Sequence, residues 1–491
     1  MKKAEFIDLY ARSLANGSAS PFVGAGLSMQ AGYPSWRQLV RDMAEDIGLD
    51  ASKEDDLAGV VQYFLNKAGK TRTRLARAIG VHFGEEKPIP PVFRILSRLP
   101  LTRLWTTNYD TLLERAYRER RKLLDVKSRD KDVTSENPFA HAFLYKMHGT
   151  VEHPGEVVIA KSDYESYRRK HPGLLQLLTG HLISRHILFL GFSFTDPNLS
   201  YLFTLIRESF DDTPPEHFAI VRQPRRDDYD GEASFEYAHR RHRLWVDDLQ
   251  NYGLQCVEIE DYAEIDTLLE AVERRLAMVS VMVSGSFPDP HDAARLAERT
   301  RIEAIARAAG YVIAKHNFRL VSGMGTVVGN ASLSAAVEQI NTQATPNFER
   351  SLLLRPFPQM IPDGQDRQDY YRRYREDLVT EAGASVYIAG FKNDGPAPGV
   401  LTEFEIATAA KRYPLPVGAS GGAALEIWQR VAVDYAQYLG TLPRNLFDAL
   451  NDKAATPEAI GAAIEKILLW LRTNDPNSQS PAEASRIMPT S

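Results

Sequence analysis

The stretch PFVGAGLSMQAGYPSW, residues 21–36, places three glycines and two prolines around Ser28, directly after an apolar run. A strand that ends at Val23 and turns through Gly24 and Gly26 into a helix brings backbone N–H groups close to a diphosphate, because neither glycine has a Cβ in the way. Such a turn also occurs with no ligand, so its meaning depends on its companions. Outward from it, to about residue 277, short apolar runs alternate with helical patterns. Strands are expected at Ser20–Val23, Leu101–Thr106, Leu144–Met147, His186–Leu190, His217–Val221 and Leu254–Glu258. That alternation predicts a mostly parallel sheet flanked by helices. A helix over Asp266–Ala277, with Leu268, Leu269, Val272 and Leu276 on one face, closes this part. A fresh apolar run from Met278 opens a second α/β unit, with strands expected at Val281–Ser284, Arg319–Ser322, Ser351–Leu354, Ala384–Ala389 and Leu415–Val417. Helices are expected over Ala293–Ala309 and Ala331–Thr342 and onward through Leu471, and residues 474–491, rich in Pro and Ser, are expected to be disordered.

Composition narrows the function classes. With 44% hydrophobic and 25% charged residues in 491, the chain is ordinary globular material of two or three domains. Lys+Arg 59 against Asp+Glu 64 gives a formal net charge of -5, so no overall pull toward nucleic acid is implied. The single cysteine, Cys256, excludes an internal disulfide framework and a Cys-rich zinc site, which fits a reducing cytoplasm; no metal is expected. The N-terminus reads as an amphipathic helix with Phe6, Leu9, Tyr10 and Leu14 at helical spacing, not as a signal peptide. No run approaches the ~18 apolar residues that span a bilayer.

The companions of the glycine loop lie at the other strand ends of the first part. LWTTNYD sets Asn108 and Asp110 just past a strand, KMHG does the same for His148, and LFLGFSFTD for Gly191 and Ser193. Ligand crevices of open α/β sheets lie at such ends. Taken singly, Asn108 also suits a turn, His148 a satisfied core position and Gly191 a bend. Their joint occurrence in this order resembles the sirtuin family, over roughly residues 15–275: a GAGxS loop, a T-x-N-x-D segment, an HG pair and a late G-x-S strand end. The resemblance implies NAD as substrate. It assigns Gly24, Ala25, Gly26 and Ser28 to the diphosphate and neighbouring ribose, Asn108 to the nicotinamide ribose, Asp110 to the carboxamide, His148 to the role of general base, and Gly191 and Ser193 to the adenosine side. Two features depart from the deacylating sirtuins: one cysteine cannot supply their four-cysteine zinc site, and GYPSW (residues 32–36) and Thr107 stand where G-I-P-D-F-R and Gln are usual. The departures favour NAD hydrolysis over peptide deacylation.

The second part repeats the theme. VMVSGSF carries Gly285 and Ser286 past a strand, VSGMGTVVG carries Gly323 and Gly325 into a helix, and DYYRRYRED, IAGFK and GVLTEFE carry Arg373, Arg375, Lys392 and Glu403. The glycines suit a phosphate cradle or a plain strand-helix turn, and the arginines an anion site or a solvated face. Over about residues 278–470 this resembles the SLOG family, Rossmann-like sensors of nucleotide-derived ligands, with Gly285, Ser286, Gly323, Gly325, Arg375, Lys392 and Glu403 implied as signal-binding; Arg373 and Glu405 lie in the neighbouring register. The expected fold is therefore α/β with two Rossmann-like domains, a Sir2-like parallel sheet over 1–277 and a SLOG-type domain over 278–473. The combination resembles the NAD-degrading effectors of Thoeris anti-phage systems. That resemblance implies a homo-oligomer, expected to be a tetramer, switched on by a cyclic ADP-ribose isomer from a TIR-domain protein, with NAD depletion and abortive infection as the outcome. The rival readings are a lysine deacylase, a non-catalytic NAD or ADP-ribose sensor, and a phosphoribohydrolase, whose P-G-G-x-G-T-x-x-E signature is not evident here.

Overall fold

The computed structural model describes residues 1–69, 71–210, 214–288, 293–358, 360–393 and 395–474. The chain divides into two compact units, Met1–Glu273 and Arg274–Ser491. Both are α/β units around parallel sheets.

The first unit is built on seven strands: β1 (Ala19–Val23), β2 (Arg103–Thr106), β3 (Leu124–Lys127), β4 (Ala142–Lys146), β5 (His186–Leu190), β6 (His217–Arg222) and β7 (Leu254–Ile259). They lie in the order β3-β4-β2-β1-β5-β6-β7, every neighbouring pair parallel. All five residues of β1 and of β4 are buried, as expected of parallel strands covered on both faces. Above the sheet an aromatic core forms around Phe22, Trp105, Tyr145, Phe189 and Phe203. The N-terminal helix, Lys3–Ala15, buries Phe6, Ile7, Tyr10, Ala11 and Leu14, so Leu9 is at the margin of the expected face. The connection from β1 to β2 carries helices at Trp36–Asp46, Leu57–Lys67, Thr73–Phe83 and Pro91–Arg98. Chain progression runs from β1 toward β2 and then restarts on the other side at β5. The switch point, where open α/β sheets bind ligands, therefore lies beyond the C-terminal ends of β1 and β5.

The second unit holds β8 (Ser280–Ser284), β9 (Arg319–Ser322), β10 (Leu352–Leu354), β11 (Ala384–Ile388), a two-stranded ribbon of β12 (Phe391–Lys392) and β13 (Gly395–Pro396), and β14 (Tyr413–Val417). Its main sheet runs β10-β9-β8-β11-β14, again all parallel, with the switch point between β8 and β11. Val281, Val283, Val386, Ile388, Leu415, Ile427 and Ile464 belong to one continuous core.

Several strand boundaries differ from the sequence reading, β2 beginning at Arg103 and β4 at Ala142, and for β3 and β14 the reasons are physical. β3, LDVK, is a short edge strand with charged side chains and carries no apolar run. β14 begins two residues earlier than expected because Pro414 and Pro416 alternate on its free edge. Tyr413 donates its N–H to Gly383 O toward β11, and the prolines take the positions facing away, where no donor is needed. The helices are longer than expected, at Ala293–Lys315 and Val328–Asn341. Asn474 ends the helix Pro457–Asn474; the rest of the tail expected to be disordered lies outside the described residues.

Candidate active site and a second nucleotide-type cleft

After β1 the chain forms a single helical turn, Ala25–Met29, and packs it against the loop after β5. Gly24 N–H donates to Leu190 O at 2.8 Å and Gly26 N–H to Gly191 O at 3.1 Å. A Cβ on Gly24 would stand 2.5 Å from Gly191 O, and one on Gly191, at φ +69°, would stand 2.7 Å from Leu27 N. The glycines thus let two strand-end loops touch backbone to backbone across the switch point, which fixes both rims of the crevice at once.

Four buried polar groups meet there. The Asn108 amide Nδ2 donates to Gly24 O at 3.0 Å and to Ser28 Oγ at 2.8 Å, while Ser28 donates to Asp110 Oδ2 at 2.6 Å. Asp110 Oδ1 accepts from Leu112 N–H at 3.0 Å, so both its oxygens are engaged within the protein. Asn108 Oδ1 is buried with no partner, an acceptor held in place and free to take up a ligand group. Beneath the loop Lys146, fully buried on β4, donates to Asp110 O and pairs with Glu114 Oε1 at 2.8 Å. One ammonium therefore ties the Asn108–Asp110 segment to β4, the strand that His148 follows.

His148 follows β4 and is 5% exposed. Its ring lies edge-on to Tyr164 at 5.5 Å between centroids, and Val158 N–H donates to its carbonyl at 3.0 Å. Asp196 Oδ2 stands 3.0 Å from Nε2, at ion-pair distance, although Nε2 makes no hydrogen bond. Burial disfavours the Asp196 carboxylate, but the charge of His148 and the N–H groups of Leu199 and Asn198 outweigh it, and the group titrates below the ordinary carboxylate range. Asp196 is the residue that sequence reasoning passed over. The signal was available: Asp-Pro after a strand end is an N-cap followed by Pro at the first helical position, here opening the helix Pro197–Phe210. Of the remaining candidates, Ala25 and Ser193 are exposed, and Ser193 Oγ shares a hydrogen bond with Thr195 Oγ1 at 2.8 Å. Among the described residues no group of three or more His, Cys, Asp or Glu side chains is placed to hold a metal ion.

The second unit repeats the construction. A Cβ on Gly285 would stand 1.9 Å from Ile388 O, and one on Gly325 2.1 Å from Gly285 O, so the loops after β8, β9 and β11 are in backbone contact. Ser286 Oγ donates to Phe391 O at 3.0 Å. Before the helix Val328–Asn341 the chain makes a strained γ-turn, with Val327 at φ 69° and Val328 N–H bonded to Thr326 O at 2.9 Å. Glu403 accepts from Ser284 Oγ at 2.6 Å and faces Arg375 Nε at 3.6 Å, a charge pair too long for a hydrogen bond. Burial pushes the Glu403 carboxyl above its ordinary range, against the opposing pull of Ser284 and Arg375. The Arg375 guanidinium lies 4.6 Å above the Phe357 ring, and Phe357 packs on Tyr371 and Tyr374, an aromatic wall the sequence reading did not assign. Gly323 faces that wall. Arg375 and Glu403 are thus brought together, whereas Arg373 is exposed and bonds Gln365 Oε1 at 3.3 Å, and Lys392 is exposed on the ribbon.

A family model described as Sir2- and TIR-associating SLOG family matches residues 264–470, and one described as SIR2-like domain matches residues 102–243. The NAD(+) hydrolase ThsA of Bacillus cereus (strain MSX-D12) is 34% identical over 463 residues, 93% of this chain and 95% of that protein. The chain belongs to the ThsA family of NAD(+) hydrolases. The Enterococcus faecium member of this family is 32% identical over 95% of this chain and 98% of its own length. Defense-associated sirtuin 2 of Bacillus subtilis is 29% identical over 45% of this chain and 22% of that protein. Along this chain the SIR2-like match lies in the first unit and most of the SLOG match in the second. The described residues contain no helix long and apolar enough to cross a membrane.

Proposed function

We propose that the first unit cleaves the nicotinamide glycosidic bond of NAD+, releasing nicotinamide and ADP-ribose, and that the second unit binds a cyclic ADP-ribose isomer that releases this activity. The reading rests above all on Asn108 and His148, which follow the adjacent strands β2 and β4 beside the switch point, Asn108 with an unpartnered buried acceptor. Cleavage builds oxocarbenium character on the ribose, so it needs a polar group that places ribose and water and a base within hydrogen-bond reach. Asn108 takes the first role and His148 the second, removing a proton from the attacking water. Gly24, Ala25, Gly26, Ser28, Asp110, Gly191 and Ser193 line the NAD site. In the second unit Gly285, Ser286, Gly323, Gly325, Arg375 and Glu403, with Lys392 and Arg373 nearby, form the signal site, a cation and a carboxylate suiting phosphates and ribose hydroxyls. The likeness to defense-associated sirtuin 2 supports a role in defence. In that role a TIR-domain protein makes the signal, a cytoplasmic homo-oligomer, in our reading a tetramer, consumes cellular NAD+, and infection is aborted. The test is nicotinamide release from NAD+ by the full chain, with and without cyclic ADP-ribose isomers. Release that requires an acyl-lysine peptide would favour the deacylase reading, and binding without release the sensor reading.

A further inference from the structure

The loop after β5 does more than pack against the first glycine turn. It ends in Asp196, whose two oxygens have separate duties. Oδ1 accepts N–H groups from Asn198 at 2.8 Å and Leu199 at 3.2 Å, capping the fourteen-residue helix Pro197–Phe210. Oδ2 is left to face His148 Nε2 at 3.0 Å, with both side chains largely buried, at 6% and 11% exposure. A helix cap needs one oxygen, and Ser, Asn or Asp serves equally well. A carboxylate turned with its second oxygen onto a buried imidazole at ion-pair distance has a use beyond capping: it holds the ring's orientation and balances the positive charge that arises when the ring takes up a second proton.

We infer that Asp196 is the positioning residue of the NAD-cleaving site, holding His148 through Oδ2 while Oδ1 anchors the carboxylate to the helix start. Asp196 itself touches no reacting atom; it acts through His148. This inference rests on the reading of His148 as the base, and the experiment separates the two. Nicotinamide release from NAD+ is measured for full-chain wild type, Asp196→Asn, Asp196→Ser and His148→Ala, at whichever cyclic ADP-ribose isomer gives the highest wild-type rate, or with none if none raises it. Asn and Ser both keep the cap, so both variants should melt with the wild type. Each should lose roughly 10- to 100-fold in kcat with KM for NAD+ within about twofold, part of the 10²–10⁴ a positioned base contributes. Wild-type kcat in either capped variant, or a loss confined to KM, would overturn the inference while leaving the base reading intact. An active His148→Ala would overturn the base reading, and this inference with it. Independently of turnover, a crystal structure with the Asp196 carboxylate beyond 4 Å of both His148 ring nitrogens would contradict the positioning role.

Discussion

In the function we propose, the activity turns on Asn108 and His148, and each is set just past an apolar run. A polar side chain at a parallel strand's C-terminal end faces the crevice in which open α/β sheets bind ligands. Asn108→Ala and His148→Ala should each reduce nicotinamide release by about 10²–10⁴-fold while the variants still fold, as removal of a positioning or proton-accepting group does; near-normal turnover in either would contradict the assignment. Lys146 was quoted only as His148's neighbour, because a lysine within a strand gives no sign of being fully buried. Its ammonium balances Glu114 and holds the Asp110 carbonyl. Lys146→Met should therefore destabilise the first unit by about 3 kcal/mol, the usual consequence of leaving one partner of a buried pair alone, measured by urea unfolding. A variant as stable as wild type would show that Glu114 finds another partner. Asp196 stayed hidden for a different reason: its partner is distant in sequence, and only the fold brings a helix cap to face a histidine.

Strands were legible where an apolar run marks their ends. β5 and β9 match the expected ranges because their ends coincide with sharp changes from apolar to polar or small residues. The edge strands β3 and β14 were missed or shortened, since an edge tolerates the charges and prolines that erase an apolar run. The glycine loops were recognised, but the sequence offered no way to see that their open side faces another loop. Gly191→Ala tests that packing: a Cβ at φ +69° and 2.7 Å from Leu27 N should cost roughly 1–3 kcal/mol of stability and move the glycine turn. Urea unfolding together with KM for NAD+ reads both effects, and an alanine variant unchanged in both would mean that the two loops do not depend on each other.

At the level of the whole molecule, each unit brings glycine turns together at its switch point, and in our proposal the first uses Asn108 and His148 to cleave NAD+. An NAD+ hydrolase that ran freely would exhaust its own cell, which is why we propose that the second unit acts as a switch. A ligand shifts such an equilibrium only by its differential affinity for the two states, and moving from about 1% to 99% active requires about 5.5 kcal/mol, a sum that several sites of an oligomer can share. Arg375 is paired with Glu403 and stacked on Phe357, and in our proposal it trades part of that pairing for a ligand phosphate. The most direct measurement is nicotinamide release from NAD+ across a titration of cyclic ADP-ribose isomers, for wild type, Arg375→Ala and Asn108→Ala. The account predicts a wild-type rate that rises with one isomer, an activation curve displaced to at least tenfold higher concentration in Arg375→Ala, and no release from Asn108→Ala at any concentration. A wild-type enzyme indifferent to every isomer, or an Arg375→Ala curve that overlies the wild type, would contradict it.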